Sequence, residues 1–183
     1  MAKATKRFCV LAIELRSQKM GYAVFEGTRV LLDWGVRSYP STAFLVLDRQ
    51  LTTLFELFHP TVIILSRVSK GDHRNVALIK ALIEIVRKQA QSVSIPARMM
   101  DKILVKEYFA RTGRWNKHDI ARAVVTRFPE LSWRLPKKRK AWQSEPASQV
   151  VFDAAALALL YFGTTERPQI PSERLFGRLP SDE

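Results

Sequence analysis

The segment that most constrains the fold is the apolar run at residues 148–162, SQVVFDAAALALLYF. Its pattern is typical of a helix, and the side chains are apolar on every side of that helix. Such a helix presents no polar face to solvent, so we expect it to be buried against a sheet. The strands of that sheet must come from the residues that precede it.

Three strand-like runs open the chain, at residues 7–15, 21–26 and 30–39, with a turn at Gly27 and Thr28. Each run is rich in β-branched, aromatic or other apolar residues. Short connections join neighbouring antiparallel strands, so these runs predict a three-stranded meander.

The rest of the chain alternates between predicted helices and strands. The predicted order is a helix at residues 44–58, a strand at 61–65, a helix after Asn75, a weak strand at 94–99, helices at 101–109 and 116–127, a basic loop at 129–147 and the helix at 148–162. This order predicts an α/β fold: an RNase H-like mixed sheet, with the meander joined to parallel strands and flanked by helices. We expect one domain over residues 1–163, followed by an irregular C-terminal tail over 164–183.

Basic residues strongly outnumber acidic residues. The 30 Lys and Arg against 17 Asp and Glu give a net charge of +13, and residues 98–140 alone hold 13 basic and 4 acidic residues. Nucleic acid is the default partner of a chain with this charge. We therefore expect residues 98–140 to form the phosphate-facing surface. The alternative is a basic surface that is only solvated.

The basic run at residues 137–140 lies between Trp133 and Trp142. Cationic and aromatic side chains can there act together on phosphates and bases. The predicted nucleic-acid-binding residues are Lys102, Lys106, Arg111, Arg114, Lys117, Lys137, Lys138, Arg139, Lys140 and Trp142. The alternative is that both tryptophans pack the loop onto the core while the charges are solvated.

The sequence offers little for other chemistries or for export. Cys9 is the only cysteine, which excludes an intramolecular disulfide, and neither zinc-ligand spacing nor a phosphate-binding glycine loop occurs. The apolar runs are too short to span a membrane, and residues 1–8 lack the apolar region of a signal peptide. We therefore expect a soluble protein in a reducing, cytoplasmic compartment.

Two carboxylates lie where a charge is costly. Glu14 ends the first apolar strand, and Asp153 lies in the apolar final helix without a basic residue one turn away. If the two converge, they repel each other unless cations lie between them. A pair of divalent ions about 4 Å apart is the arrangement that phosphodiester cleavage uses. The alternatives are that Glu14 contacts only water and Arg16, and that Asp153 is a structural acid bonded to a backbone amide or an arginine.

Two motifs carry a resemblance to a known family. LAIELRSQKMGYAV, residues 11–24, resembles the opening motif of the RuvC-type Holliday-junction resolvases, and FDAAALALLYF, residues 152–162, resembles their last helix. Together with FDAAALAL, the stretches FPEL and LPKKRKAWQSE also resemble a subgroup of resolvase-like proteins. The resemblance implies an RNase H-like fold, Mg²⁺ or Mn²⁺ as cofactor, a homodimer, and hydrolysis of branched DNA in recombination and repair.

The correspondence with that family is incomplete. Glu14 stands where the family has its first-strand aspartate, and Asp153 matches the acid of the last helix. Ser66 stands where an acid is expected at the end of the central strand, and Val150 stands where the companion of Asp153 is expected. Two of the four expected metal ligands are therefore absent, and Glu14 and Asp153 remain the candidate catalytic and metal-binding residues.

Two further acids are weaker catalytic candidates. Rearrangement of their loops could bring Glu145 or Asp72 into the site and rebuild a Mg²⁺- or Mn²⁺-dependent endonuclease. Without them, two carboxylates supply too little metal affinity for catalysis, and a nucleic-acid-binding protein remains on a nuclease fold. We favour this second hypothesis, with branched or structured DNA as the partner. A protein-interaction subunit on the same fold is the third hypothesis.

Overall fold

The computed structural model of the chain describes residues 8–40, 44–68, 75–110, 116–138, 140, 142 and 144–165. The strands are β1 (Cys9–Leu15), β2 (Lys19–Glu26), β3 (Val30–Ser38), β4 (Val62–Ser66) and β5 (Ala97–Met100). The helices are α1 (Phe44–Phe58), α2 (Val76–Ser92), α3 (Lys102–Phe109), α4 (Lys117–Arg127) and α5 (Gln149–Thr165), with a 3₁₀ helix at Pro129–Arg134. The predicted α/β class is confirmed.

β1 is the centre of a single mixed sheet with the strand order β3-β2-β1-β4-β5. β2 runs antiparallel to β1, and β3 runs antiparallel to β2, which is the predicted meander. β4 and β5 extend the other half of the sheet in parallel. Every residue of β1 is buried, which explains its nearly continuous apolar sequence, CVLAIEL. Glu14 is the exception to that sequence, and it is buried with the others.

The helices cover both faces of the sheet and divide the core into two layers. Val10 and Ala12 point to one face, where α5 packs together with α3 and α4. Leu11 and Ile13 point to the other face, where α1 and α2 pack. Most of α5 is buried, as its sequence predicts. No described helix, α5 included, is long and apolar enough to cross a membrane.

Gly21 allows α5 to approach the sheet very closely. It pairs with Glu14 across β1 and β2. A Cβ atom at Gly21 would lie 2.2 Å from the carbonyl oxygen of Val150 and 2.8 Å from the nitrogen of Val151. Only glycine is compatible with such a contact, because backbone atoms cannot rotate away as a side chain can. The N-terminal turn of α5 therefore lies directly beside the end of β1 that carries Glu14.

The structure corrects two predicted boundaries. α5 continues through Gly163 to Thr165, so the tail predicted from residue 164 is wrong for its first two residues; its remainder lies outside the described residues. Gly163 makes room for a neighbour instead of ending the helix, since a Cβ there would lie 2.4 Å from Cε2 of Tyr108. The basic loop predicted over residues 129–147 begins as the 3₁₀ helix, which buries Leu131.

We expect Gly21→Ala to destabilise the protein by about 2–3 kcal/mol, because the added methyl group would displace the backbone of α5. Gly27→Ala is the matched control. Gly27 has a φ of 60° but no atom within 4 Å of a Cβ, so it should cost only about 1 kcal/mol of backbone strain. Urea unfolding of the three proteins measures the difference. Equal stability losses in the two variants would contradict the close-approach role of Gly21.

Candidate functional site

Glu14 is a buried carboxylate beside α5. It is the sixth residue of β1 and lies on the same face of the sheet as Val10 and Ala12. The central position of β1 and the covering helix leave Glu14 only 1% exposed. A carboxylate in such surroundings requires cations or hydrogen-bond donors nearby.

Two cations lie next to Glu14. The ammonium nitrogen of Lys102 is 3.0 Å from Glu14 Oε1, and Nη2 of Arg16 is 3.6 Å from the same oxygen. Lys102 is the first residue of α3, and Arg16 belongs to the turn between β1 and β2. Glu14 Oε1 receives no well-aligned hydrogen bond within the described part of the chain. Both contacts are therefore best described as close charge pairs.

Arg16 contacts three carboxylates at once. Its Nη2 donates a hydrogen bond of 2.8 Å to Asp153 Oδ2, and it lies 3.6 Å from Glu14 and 3.7 Å from Glu145 Oε2. Burial alone would lower the pKa of the guanidinium, but the charges of Glu14, Asp153 and Glu145 outweigh burial and raise that pKa. Arg16 therefore remains protonated.

Asp153 is held by contacts from three parts of the chain. Gln149, one turn earlier in α5, donates from Nε2 to Asp153 Oδ1 at 3.0 Å, and Arg16 donates to Oδ2. Lys117 Nζ lies 3.8 Å from Oδ2. Burial raises the pKa of Asp153, and the charge of Glu14 raises it further, while Lys117, Gln149 and Arg16 act in the opposite direction.

Glu145 joins this cluster from the segment that precedes α5. Its Oε1 accepts a hydrogen bond from Lys117, and its Oε2 faces Arg16. Lys117 is the first residue of α4, whose start is fixed by a hydrogen bond of 3.0 Å from the Asp119 amide to Asn116 Oδ1. We call the three acids and three cations together the ion-pair cluster. Its members are Glu14, Glu145, Asp153, Arg16, Lys102 and Lys117, and their charges sum to zero.

Tyr39 fixes the turn that carries Arg16. Its hydroxyl lies 2.7 Å from the carbonyl oxygen of Arg16 and 3.0 Å from that of Lys19, and it can donate a hydrogen bond to either. The Arg16 amide also donates to the Lys19 carbonyl at 2.8 Å. Burial raises the pKa of Tyr39 well above its ordinary value, so the hydroxyl stays protonated and remains a donor.

The predicted site residues thus have different fates in the structure. Glu14 and Asp153 are brought to one guanidinium, and Glu145 reaches it without any loop rearrangement. Ser66 ends β4, is buried, and faces a neighbouring small cleft that Arg16 also lines. Asp72 lies outside the described residues. The catalytic role of these acids stays a prediction.

Sequence reasoning missed how the cations are used. Lys102 and Lys117 were assigned to phosphate binding, yet both make ion pairs with the carboxylates. Gln149 and Tyr39 were not identified at all. One signal was available: Lys102 and Lys117 follow capping residues and so begin helices, where a positive charge is disfavoured by the helix dipole and needs an anionic partner.

A cleft of about 340 Å³ opens beside the ion-pair cluster, between β1, α3, α4 and α5. Its apolar lining is Ile103, Val105, Ile120, Ala156 and Leu157. Its charged lining is Glu14, Asp153, Arg16, Lys102, Lys106 and Lys117. Cations therefore outnumber acids at the cleft, which favours an anionic ligand over a cationic one.

Both loop tryptophans are exposed to solvent. Trp133 is 68% exposed and Trp142 is 78% exposed, so the alternative in which they pack the loop onto the core is wrong. The Arg134 guanidinium lies 4.2 Å from the centre of the Trp133 ring, and Lys140 lies 5.2 Å from that of Trp142. Lys137 and Lys138 are exposed as well, while Arg111, Arg114 and Arg139 lie outside the described residues.

The arrangement of donors does not suit a resident divalent ion. Mg²⁺ requires oxygen ligands in near-octahedral geometry. Both oxygens of Asp153 accept hydrogen bonds, and a cation bound to Glu14 Oε1 would lie beside Arg16 and Lys102. No group of three or more His, Cys, Asp or Glu side chains within the described ranges is arranged to hold a metal ion.

The fold is the RNase H-like fold found in RuvC-type Holliday-junction resolvases. Thermus thermophilus RuvC in complex with a Holliday junction substrate superposes with a TM-score of 0.65 at 16% identity, covering 86% of this chain and 95% of that chain. The yeast mitochondrial Holliday junction resolvase Ydc2 superposes with a TM-score of 0.61 at 15% identity, covering 84% of this chain and 77% of that chain.

A viral resolvase shares the same fold. The Fowlpox virus resolvase, solved in complex with Holliday junction DNA, gives a TM-score of 0.55 at 12% identity over 85% of this chain and 99% of that chain. No protein-family model and no curated protein matches the sequence. At these identities the similarity establishes the fold, and the confirmed expectation is the mixed RNase H-like sheet.

We expect the pKa of Asp153 to lie above its ordinary value and to fall in Glu14→Gln, because that substitution removes a repelling charge. The exposed pair partner Glu84 on α2 provides the control substitution, Glu84→Gln, which should leave this pKa unchanged. Carbon-detected NMR of the Asp153 carboxyl group measures it.

The raised pKa also has a consequence for stability. A carboxyl group whose folded pKa exceeds its unfolded value contributes stability at low pH that is lost as the pH rises through the folded pKa. As the pH rises from the unfolded pKa of Asp153 to its folded pKa, the free energy of unfolding of wild type should therefore fall relative to that of Asp153→Asn. A stability difference that is independent of pH, or an unshifted pKa, would contradict this electrostatic description.

Proposed function

We propose that this protein binds branched or structured DNA and that its carboxylate site does not hydrolyse it. The observation that carries the proposal is the ion-pair cluster, in which cations of the chain pair with all three of its carboxylates, Glu14, Glu145 and Asp153. Two resolvases with this fold were solved with Holliday junction DNA, which supports branched DNA as the ligand class.

The charge of the cleft supports the binding half of the proposal. Four cationic side chains line it against two carboxylates, so its field favours phosphate. Lys106 extends the cleft along α3, and it belongs to the cleft without belonging to the ion-pair cluster. Affinity that depends on such contacts falls as salt rises, because each phosphate neutralised releases counterions.

The exposed tryptophans add a way to recognise bases. An exposed ring with a cation beside it can stack on an unpaired base while the cation contacts a phosphate. Trp133 with Arg134 and Trp142 with Lys140 have this composition. Unpaired or strained bases occur where duplexes meet, so this pairing favours a structured ligand over a regular duplex.

A Mg²⁺- or Mn²⁺-dependent endonuclease acting on branched DNA is the second candidate. The observation in its favour is that Glu145 reaches the same Arg16 guanidinium as Glu14 and Asp153, which supplies a third carboxylate. This function requires that the three acids release the arginine and lysine side chains and bind divalent ions instead. The first candidate function requires no such exchange.

Binding and cleavage of a labelled four-way junction distinguish the two candidates. We expect wild type to bind the junction more tightly than duplex or single strand, with affinity that falls as salt rises, and to leave it uncut in Mg²⁺ or Mn²⁺. Metal-dependent cleavage that Asp153→Asn abolishes would overturn the proposal and establish the endonuclease. An absence of binding at low salt would overturn both and favour a protein partner.

Light scattering of the same sample tests the homodimer implied by the family resemblance.

We expect Trp133→Ala and Trp142→Ala to weaken junction binding, each by about 1–3 kcal/mol if its ring stacks on one base. Leu45→Ala is the control, since Leu45 is 75% exposed on α1, which covers the opposite face of the sheet. Fluorescence anisotropy with a labelled junction gives the affinities. Wild-type affinity in both tryptophan variants would exclude them from the interface.

A further inference from the structure

We propose that Arg16 is the resident cation of the carboxylate site: its guanidinium takes the place of a divalent ion and excludes one. The inference deepens the proposed function, since it gives a physical reason for a nuclease-type site that does not hydrolyse. It rests on one geometric fact. A single nitrogen, Nη2 of Arg16, lies 2.8 Å from Asp153, 3.6 Å from Glu14 and 3.7 Å from Glu145.

The three carboxylates come from different parts of the chain. Glu14 comes from the central strand, Asp153 from α5, and Glu145 from the segment before α5. Without a cation between them, they would repel one another in a partly buried site. Arg16 therefore performs the structural task that a metal ion performs in a carboxylate site, which is to hold converging acids together.

The other two cations of the cluster contact fewer acids. Lys102 lies against Glu14, and Lys117 lies against Glu145 and Asp153. If Arg16 lost its charge, three carboxylates would face two ammonium groups, and the cluster would carry a net negative charge. One oxygen atom from each of the three acids lies within 3.7 Å of the position that Nη2 would vacate, and carboxylate oxygens are the ligands that Mg²⁺ and Mn²⁺ prefer.

Arg16 is also built in firmly enough to act as a fixed cation. Its amide donates to the Lys19 carbonyl at 2.8 Å, and its carbonyl lies 2.7 Å from the Tyr39 hydroxyl. Its main acceptor, Asp153, is itself oriented by Gln149. Hydrogen bonds thus hold both the backbone of Arg16 and its guanidinium. The side chain is 28% exposed, so a substitution there does not leave a cavity in the core.

Mn²⁺ binding in the absence of DNA tests the inference. The experiment titrates Mn²⁺ into wild type and Arg16→Gln and follows the free Mn²⁺ signal by electron paramagnetic resonance. We expect Arg16→Gln to bind Mn²⁺ at least about tenfold more tightly than wild type, because it gains a net attraction for the ion. Arg16→Lys retains the charge and should behave as wild type does. Adding Asp153→Asn to Arg16→Gln should remove the gain.

Two controls place the effect on this residue. Lys117→Gln removes another cation of the cluster but leaves Arg16 in place, and Arg87→Gln removes an exposed arginine paired with Glu84 on α2. Neither should gain Mn²⁺ affinity comparable to that of Arg16→Gln. Equal Mn²⁺ affinity in wild type and Arg16→Gln, or an equal gain in either control, would overturn the inference.

Thermal unfolding covers the case in which Arg16→Gln is poorly folded. Mn²⁺ should then raise the unfolding temperature of Arg16→Gln and leave that of wild type unchanged, while an absence of this rescue would contradict the inference. No DNA is present in either measurement. A failed inference and a failed proposed function, which the junction assay tests, therefore give different results.

Discussion

The burial of Glu14 at the end of the central strand is the constraint on which the other features of the site depend. β1 has neighbours on both edges and helices on both faces, so its last residues have no route to solvent. A buried charge without a partner is far more costly than any single packing contact in the core. Arg16 in the following turn and Lys102 at the start of α3 both form ion pairs with Glu14. The turn after β1 and the start of α3 are therefore placed where their cations can compensate the buried charge of Glu14.

The close approach of α5 adds a second carboxylate that requires a cation nearby. Gly21 lets the helix lie against β2 beside Glu14, and the same approach brings Asp153 into the field of the first carboxylate. Packing and electrostatics therefore oppose each other here, since the contact that fills the core also places two like charges near each other. Arg16 resolves the conflict by pairing with both acids, and Lys117 neutralises the third, Glu145.

Local sequence patterns were sufficient to predict the helices and strands, but not to predict which side chains of different elements contact each other. The three short strand-like runs predicted the meander, and the apolar sequence on every side of the last helix predicted that α5 is buried, because each feature depends on a short stretch of sequence. The convergence of Glu14 and Asp153 was predicted from the expected positions of the first strand and the last helix, but the sequence did not show that Arg16 would be the cation between them. The charge count of residues 98–140 did not reveal the ion pairs of Lys102 and Lys117, because it does not give the direction in which a side chain points; only their positions at helix starts indicated a need for anionic partners. The end of α5 was predicted too early for a related reason: whether the helix ends before Gly163 or continues past it depends on the ring of Tyr108, which is distant in sequence.

The ion-pair cluster also limits how the basic surface can contribute to the proposed binding of DNA. A cation already paired with a carboxylate gains less from a phosphate than an unengaged one does, because it exchanges one anionic partner for another and leaves a buried acid uncompensated. This applies to Lys102 and Lys117, and most strongly to Arg16. In the proposed binding of DNA, the excess of cations at the cleft attracts phosphate, while the greater share of the binding free energy comes from exposed residues outside the cluster, such as Lys106, Lys137, Lys138, Lys140 and Trp142. A cation of the cluster that pairs with a phosphate gives up part of its interaction with a carboxylate, so it cannot stabilise both anions fully.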